Sequence, residues 1–210
     1  SEFYEDAVEA SRFTKSTSYN NIEHLVEDSD VLFLTVPDGM IEQVWNVLKK
    51  IDISGKIVCH CSGALSSKVF SDISELGGFG YSIHPLFAVS DKYNSYKELS
   101  NSYFTIEGSS QKMNVIRQIL EEMGNTVCVI TSEDKVKYHA AAAIASNLVV
   151  GLIGLSEQLL SECGFLGEDA HNALVPIIQG NIGHIIKDGL KEALTGPIER
   201  NDIQTIEKHI

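Results

Sequence analysis

Four residues able to do chemistry stand together at positions 59–62: Cys59, His60, Cys61 and Ser62, inside the run IVCHCSG. Such a group could be a metal clip, a redox pair, or the point where a buried strand surfaces into a site. Side chains alternate along a strand, so Cys59 and Cys61 share one face and His60 takes the other. A zinc site needs several convergent ligands, usually built from C-x-x-C-type spacing. A C-x-C pair on a straight strand does not readily close on one ion, so no metal is expected. The two cysteines read as core and His60 as a structural histidine, while Ser62 and Gly63, past the end of the run, read as site residues.

Two further strand ends carry similar cargo. YSIHPLF delivers His84 ahead of Pro85, whose ring favours extended geometry in the preceding residue and halts the ladder. VLFLTVPDG ends in Thr35, Val36, Pro37 and Asp38. In an open parallel sheet, ligands bind beyond the carboxyl ends of the strands, so these tips are the informative positions. A helical stretch offers the other wall. Lys135, His139, Ala142, Ala143 and Ser146 recur at helical spacing, with Asn147 at the margin of their face. Small residues there admit a ligand or a tightly crossing helix, and Asn147 reads as a buried amide in need of partners. Finally, LTGPIERND offers Arg200, whose guanidinium can hold a carboxylate through two parallel hydrogen bonds.

The elements that must position these residues fall into two textures. VLFLTVP, KIVCHCS, FGYSIHP, SYFTIEG and TVCVITS are short β-type runs, most of them bounded by Gly, Pro, Asp or Ser. MIEQVWNVLKKI, SSKVFSDISEL and QKMNVIRQILEEMG lie between them with apolar residues at helical spacing. This alternation predicts an α/β domain over residues 1–132, with a mostly parallel sheet covered on both faces. From residue 133 the β signal stops. One long helix capped by Ser132, then further helices, predict an all-helical domain over residues 133–210. The chain opens on two helical segments rather than a strand. GGFGY follows a helical pattern and precedes a strand, so it reads as a turn and not as a dinucleotide fingerprint.

Bulk properties exclude several classes. A chain of 210 residues with 43% apolar and 21% charged residues is an ordinary globular protein. Its formal charge of −13 argues against nucleic acid or an anionic membrane as partner, but leaves room for an anionic small molecule. Four cysteines in apolar contexts read as buried thiols in a reducing compartment, and the chain as cytoplasmic. The apolar stretch AAAAIASNLVVGLIGL reads as a buried core helix.

TVPDGMI, GKIVCHCSGALSS, GYSIHPLFA, FTIEG, EDKVKYHAAAAIASNLVVGL and LTGPIERND together resemble the Rossmann-like oxidoreductases that carry a C-terminal helical domain of uncharacterised function. More distantly the layout is similar to pyrroline-5-carboxylate reductase, the 3-hydroxyisobutyrate dehydrogenase group and prephenate dehydrogenase, with a helical domain like the C-terminal one of 6-phosphogluconate dehydrogenase. Ser62 and the His84-Pro85 pair match prephenate dehydrogenases. Those proteins have Ser-His where this chain has Ser146-Asn147, which argues against prephenate as substrate.

The resemblance implies hydride transfer between NAD or NADP and a small carboxylate-bearing substrate. It implies cofactor contacts at Thr35, Val36, Pro37 and Asp38, and catalytic roles for His84, Ser62, His139 and Asn147. His84 would be the acid/base, with an ordinary pKa near ~6.5. Gly63, Lys135 and Arg200 would hold substrate, and the helical domain would form a homodimer. Relatives begin further upstream, with a strand and a glycine-rich turn for the pyrophosphate, so the first strands of the sheet are expected to lie outside this sequence. The contrasting expectation is a non-catalytic dimeric ligand-binding or scaffold protein that retains the fold.

Overall fold

β-Branched and aromatic runs in the first two-thirds of the chain pair into one five-stranded sheet, in the order β1-β2-β3-β4-β5. The structure, a computed structural model, describes residues 3–208. It divides into two compact units, one ending at Ser146 and one beginning at Asn147.

In the first unit, α1 (Tyr4–Thr14) and α2 (Ile22–Glu27) precede β1 (Val31–Leu34). The Asn21 side chain caps α2 by accepting the His24 N–H. Then follow α3 (Asp38–Leu48), β2 (Ile57–His60), β3 (Phe79–Leu86), β4 (Tyr103–Gly108), α4 (Met113–Glu122), β5 (Thr126–Val129) and α5 (Lys135–Ala143). β1, β2 and β3 run parallel; β4 is antiparallel to β3, and β5 is parallel to β4. The sheet is therefore mostly parallel, as expected.

Alternation along the strands sorts their side chains into two cores. On one face Leu32, Leu34 and Val58 pack with Val26 of α2, with Ile41, Trp45 and Leu48 of α3, and with Phe70 and Ile73. On the other, Ile57, Cys59, Tyr81, Ile83 and Ile106 lie under Ile116 and Leu120 of α4. Coverage is not complete on both faces, contrary to expectation. Val31 and Phe33 of β1 are 40% and 52% exposed, and within this unit the second core takes its helical residues from α4 alone.

Three local expectations are corrected. SSKVFSDISEL forms a short 3₁₀ turn (Ser67–Val69) and irregular turns, with Asp72 in the left-handed region at φ 61°. Its Val69, Phe70, Ile73 and Leu76 still reach the core, which explains why their spacing imitated a helix. The long helix begins at Lys135 rather than after Ser132. Thr131 Oγ1 donates to the Asp134 carboxylate (2.7 Å) and accepts the Asp134 N–H (3.3 Å), which fixes the turn before α5. Of the four cysteines only Cys59 is buried; Cys61 is half-buried, and Cys128 and Cys163 are exposed.

α5 leads through a π-type turn (Ile144–Leu148) into the second unit, made of α6 (Val149–Glu162), α7 (Asp169–Asp188), α8 (Leu190–Ala193), α9 (Gly196–Glu199) and α10 (Ile203–Glu207). Gly189, at φ 90°, separates α7 from α8 in a conformation that L side chains resist. Among the described residues of this unit only Ala170 and Ala193 are buried. The expected buried core helix is instead exposed, with Leu152, Leu155 and Leu159 all more than half open. By length and composition the helical run Lys135–Glu162 could cross a membrane. Its first residue, however, is sealed inside the first unit at 1% exposure.

Trp45 anchors the first core. It is fully buried, meets Phe70 edge-on at 5.4 Å, and donates its indole N–H to Ser71 O at 3.1 Å. Trp45→Ala removes that contact and leaves a void, so the urea midpoint followed by circular dichroism should fall by the equivalent of about 3–5 kcal/mol.

Candidate functional site

The first face of the sheet turns polar towards the carboxyl ends of β2 and β3. Period-two alternation places Ser82 and His84 of β3 on this face, and Thr105 and Glu107 of β4 beside them. The register aligns them in two rows. His60, Ser82 and Glu107 are cross-strand neighbours, and so are His84, Thr105 and Cys128. His60, Ser82, Thr105 and Glu107 are buried. A buried polar side chain has to find hydrogen bonds, and the loop after β2 and the first turn of α5 provide most of them.

Lys135 is the central piece. It is 1% exposed, and its Nζ donates to Ser62 O at 2.8 Å and to Ser82 Oγ at 2.7 Å. Ser82 Oγ donates in turn to the same Ser62 carbonyl at 3.2 Å. Among the described residues no carboxylate touches the ammonium. Burial therefore pulls its pKa down, opposed at longer range by Glu107 and Asp38. Glu107 accepts the backbone N–H (2.6 Å) and hydroxyl (2.8 Å) of Ser67, which ties the segment after β2 to β4.

The loop after β2 is organised by Ser62. Its hydroxyl donates to Asp38 Oδ2 at 2.6 Å, at the start of α3, and accepts the N–H groups of Ala64 (3.2 Å) and Leu65 (3.0 Å). The single hydroxyl proton is thus committed to Asp38. His60 has both nitrogens engaged: Nδ1 accepts the Ser62 N–H at 3.2 Å and Nε2 donates to Ser66 O at 3.3 Å. It is fully buried and structural, as its position inside the apolar run predicts.

Gly63 marks the point where the imidazoles meet. A Cβ on this residue would lie 2.6 Å from His139 Nδ1 and 3.0 Å from His84 Nε2. Only glycine lets the backbone pass so close to both rings. His84 is half-buried, and its Nδ1 stands 2.7 Å from the Tyr138 hydroxyl. Its pKa is not the ordinary one expected from the sequence. Burial first, then the positive Lys135 and the neighbouring His139, push it down to about 4, against a smaller opposing pull from Asp38. The imidazole is neutral at neutral pH.

The structure thus brings together Asp38, Ser62, Gly63, His84, Lys135 and His139 from the expected set. Thr35, Pro37 and Asp38 form an exposed turn between β1 and α3, with Val36 half-buried against the core. Asn147 and Arg200 belong to the second unit, and both are exposed. Asn147 is therefore not the buried amide that its apolar flanks suggested, since it lies on the exposed π-type turn. Ser82, Thr105, Glu107 and Tyr138 are additions. Among the described residues no cluster of three or more His, Cys, Asp or Glu could hold a metal ion.

The buried histidines make stability depend on pH. His60 and His84 both have folded pKa values below the unfolded value of ~6.5, chiefly through burial. The unfolded chain then binds more protons, and stability falls as pH drops from ~6.5 towards about 4. Urea midpoints measured across that window should decline towards acid, with a shallower decline in His84→Gln; equal slopes would contradict the assignment.

Comparison with known proteins bears on the family and the fold. No curated protein matches the chain. A Rossmann-like domain model matches residues 6–85. A solved Thermotoga maritima protein is 29% identical with a TM-score of 0.79, over 100% of this chain and 78% of that one. A candidate NADP oxidoreductase from Bacteroides fragilis gives 18% identity and a TM-score of 0.71, over 100% of this chain and 77% of that one. The Plasmodium falciparum pyrroline carboxylate reductase, solved with NADP bound, gives 15% and 0.64, over 92% and 74%. The last two likenesses show the fold alone. A model described as a domain of unknown function, DUF2520, covers residues 102–210, which is just over half of the sequence, and the chain belongs to that family.

Proposed function

We propose that this protein is a cytoplasmic NAD(P)-dependent oxidoreductase that moves a hydride between a nicotinamide and a small carboxylate-bearing substrate. The observation that carries this reading is the crowding of His84 Nε2 and His139 Nδ1 against Gly63, at the carboxyl tips of parallel strands. That edge is where open α/β sheets take their ligands. The residues present fit the nicotinamide end of the cofactor. Thr35, Pro37 and Asp38 form an open turn at the next strand tip, and the absent side chain of Gly63 lets both imidazoles close on the loop beside it. The sequence contains no G-x-G-x-x-G turn for the diphosphate, so that half is assigned to no residue here.

Bound nicotinamide would supply or accept the hydride, and the chain's own residues would manage orientation and the proton. His84 is the group placed to exchange a proton with substrate, with His139 on the other side of Gly63. Ser62 holds the loop to Asp38, and Lys135 lends positive potential from beneath it. Either NAD or NADP satisfies this reading.

Titrating NADH and NADPH separately against the protein, read by cofactor fluorescence, should give a saturable change with at least one of them. No saturable change with either would contradict the enzyme reading and favour a non-catalytic ligand-binding protein that retains the fold.

The exposed leucines and isoleucines of the second unit support a second copy as the partner. Leu166, Ile177, Ile186 and Leu190 are each more than 60% open, an apolar surface typical of obligate interfaces rather than of free monomers. Light scattering at micromolar concentration should report twice the chain's 23.0 kDa. A monomer would contradict the dimer.

A further inference from the structure

The His84–Tyr138 contact has a direction, and that direction decides what the site offers a substrate. A neutral imidazole carries one N–H, so either the phenol donates to Nδ1 or Nδ1 donates to the phenol oxygen. Two observations select the first arrangement. A phenol is a much stronger acid than a neutral imidazole N–H, and a neutral imidazole nitrogen is the better acceptor, so matched acidity favours O–H···N across the 2.7 Å gap. The second lies on the far side of the phenol. Thr105 sits directly across the β3–β4 ladder from His84, and its Oγ1 is buried with no hydrogen-bond partner among the described residues. Burial raises the Tyr138 pKa, and the Thr105 hydroxyl opposes that rise, as a donor near the phenol oxygen does. With the phenolic proton on His84, the Tyr138 oxygen is free to accept from Thr105, and the otherwise costly buried hydroxyl gains its partner.

We propose that Tyr138 is the positioning residue that fixes His84 as its Nε2–H tautomer, so that the site presents a neutral N–H to a substrate carbonyl oxygen and resupplies that proton from the phenol. Nε2 makes no hydrogen bond among the described residues and borders Gly63, where a reacting oxygen would have to lie. The charged and titratable groups facing His84 are Lys135, Tyr138 and His139 of α5 and Asp38 at the start of α3. Burial, and then Lys135, keep the His84 ring neutral, and Lys135 Nζ lies 5.8 Å from the centre of the Tyr138 ring, where it can stabilise negative charge. The substrate class follows: a ketone or aldehyde whose oxygen gains negative charge, rather than an iminium that needs no proton donor at that atom.

The step balances. As the carbonyl carbon receives the hydride, its oxygen takes the proton from Nε2, and Nδ1 takes the phenolic proton. This leaves a neutral imidazole of the other tautomer and a tyrosinate near Lys135. One proton from water then enters at Nε2 while the Nδ1 proton returns to the tyrosinate, which restores the starting state. Only the substrate half of this proposal rests on the hydride-transfer reading; the tautomer belongs to the protein alone.

Long-range proton–nitrogen NMR correlation on the uniformly ¹⁵N-labelled chain reads the tautomer directly, with the His84 signals identified by their loss in His84→Gln. The expected wild-type pattern is Nε2 protonated and Nδ1 bare, with no imidazolium as pH falls through ~6.5. Tyr138→Phe and, in the same direction, Thr105→Val should shift the His84 pattern towards a mixture of tautomers, a change that loss of packing alone does not produce. A wild-type Nδ1–H pattern, or a Tyr138→Phe spectrum identical to wild type, would overturn the proposal. If Tyr138→Phe does not fold, the wild-type pattern and Thr105→Val decide it. Absence of cofactor binding with the expected tautomer intact would fault the hydride-transfer reading and leave the tautomer assignment standing.

Discussion

The buried ammonium of Lys135 is the contact on which the arrangement turns. It joins three elements at once: the start of α5, the loop after β2 through the Ser62 carbonyl, and β3 through the Ser82 hydroxyl. A charge at 1% exposure with no carboxylate of the described residues in contact is expensive, and two neutral acceptors only partly offset the loss of water. Such a cost makes physical sense where the charge serves its surroundings. Here it adds to the burial that keeps His84 neutral, pins the carbonyl that precedes Gly63, and keeps the first turn of α5 over the polar end of the sheet.

Ser62 and Gly63 illustrate how the backbone, rather than reactive side chains, builds this site. The Ser62 hydroxyl closes its own loop by accepting two N–H groups and hands its proton to Asp38, so α3 and the β2 loop move together. The next residue has no side chain, and both histidines occupy the space that one would need. The loop is therefore held in place, and the missing side chain is what lets two imidazoles close on its backbone.

Much of this was legible in the sequence. The strand tips carrying Asp38, Ser62 and His84 were readable because short apolar runs ended in polar residues, and all five strands formed. Lys135 and His139 were visible through helical spacing, but Tyr138, equally on that face at three residues from Lys135, was passed over. Ser82, Thr105 and Glu107 were missed although YSIHP and FTIEG alternate polar and apolar residues, the pattern of a strand with one polar face. SSKVFSDISEL misled because a compact series of turns can present residues to a core at nearly helical intervals. The pKa of His84 could not be read at all, since it depends first on burial and then on Lys135, far along the chain, being folded beneath it. Asn147 failed for a related reason: apolar neighbours in sequence do not imply burial when the helix that carries them is exposed.

The account stands or falls on whether a nicotinamide reaches the two imidazoles around Gly63. Histidine ring resonances followed during addition of NADPH, and separately NADH, test this most directly. The account predicts that the ring signals of His84 and His139 shift in a saturable way with at least one of the two, while those of His24 and His184 stay where they are. Saturable shifts confined to histidines other than His84 and His139, or no shift of His84 with either cofactor at saturation, would contradict it.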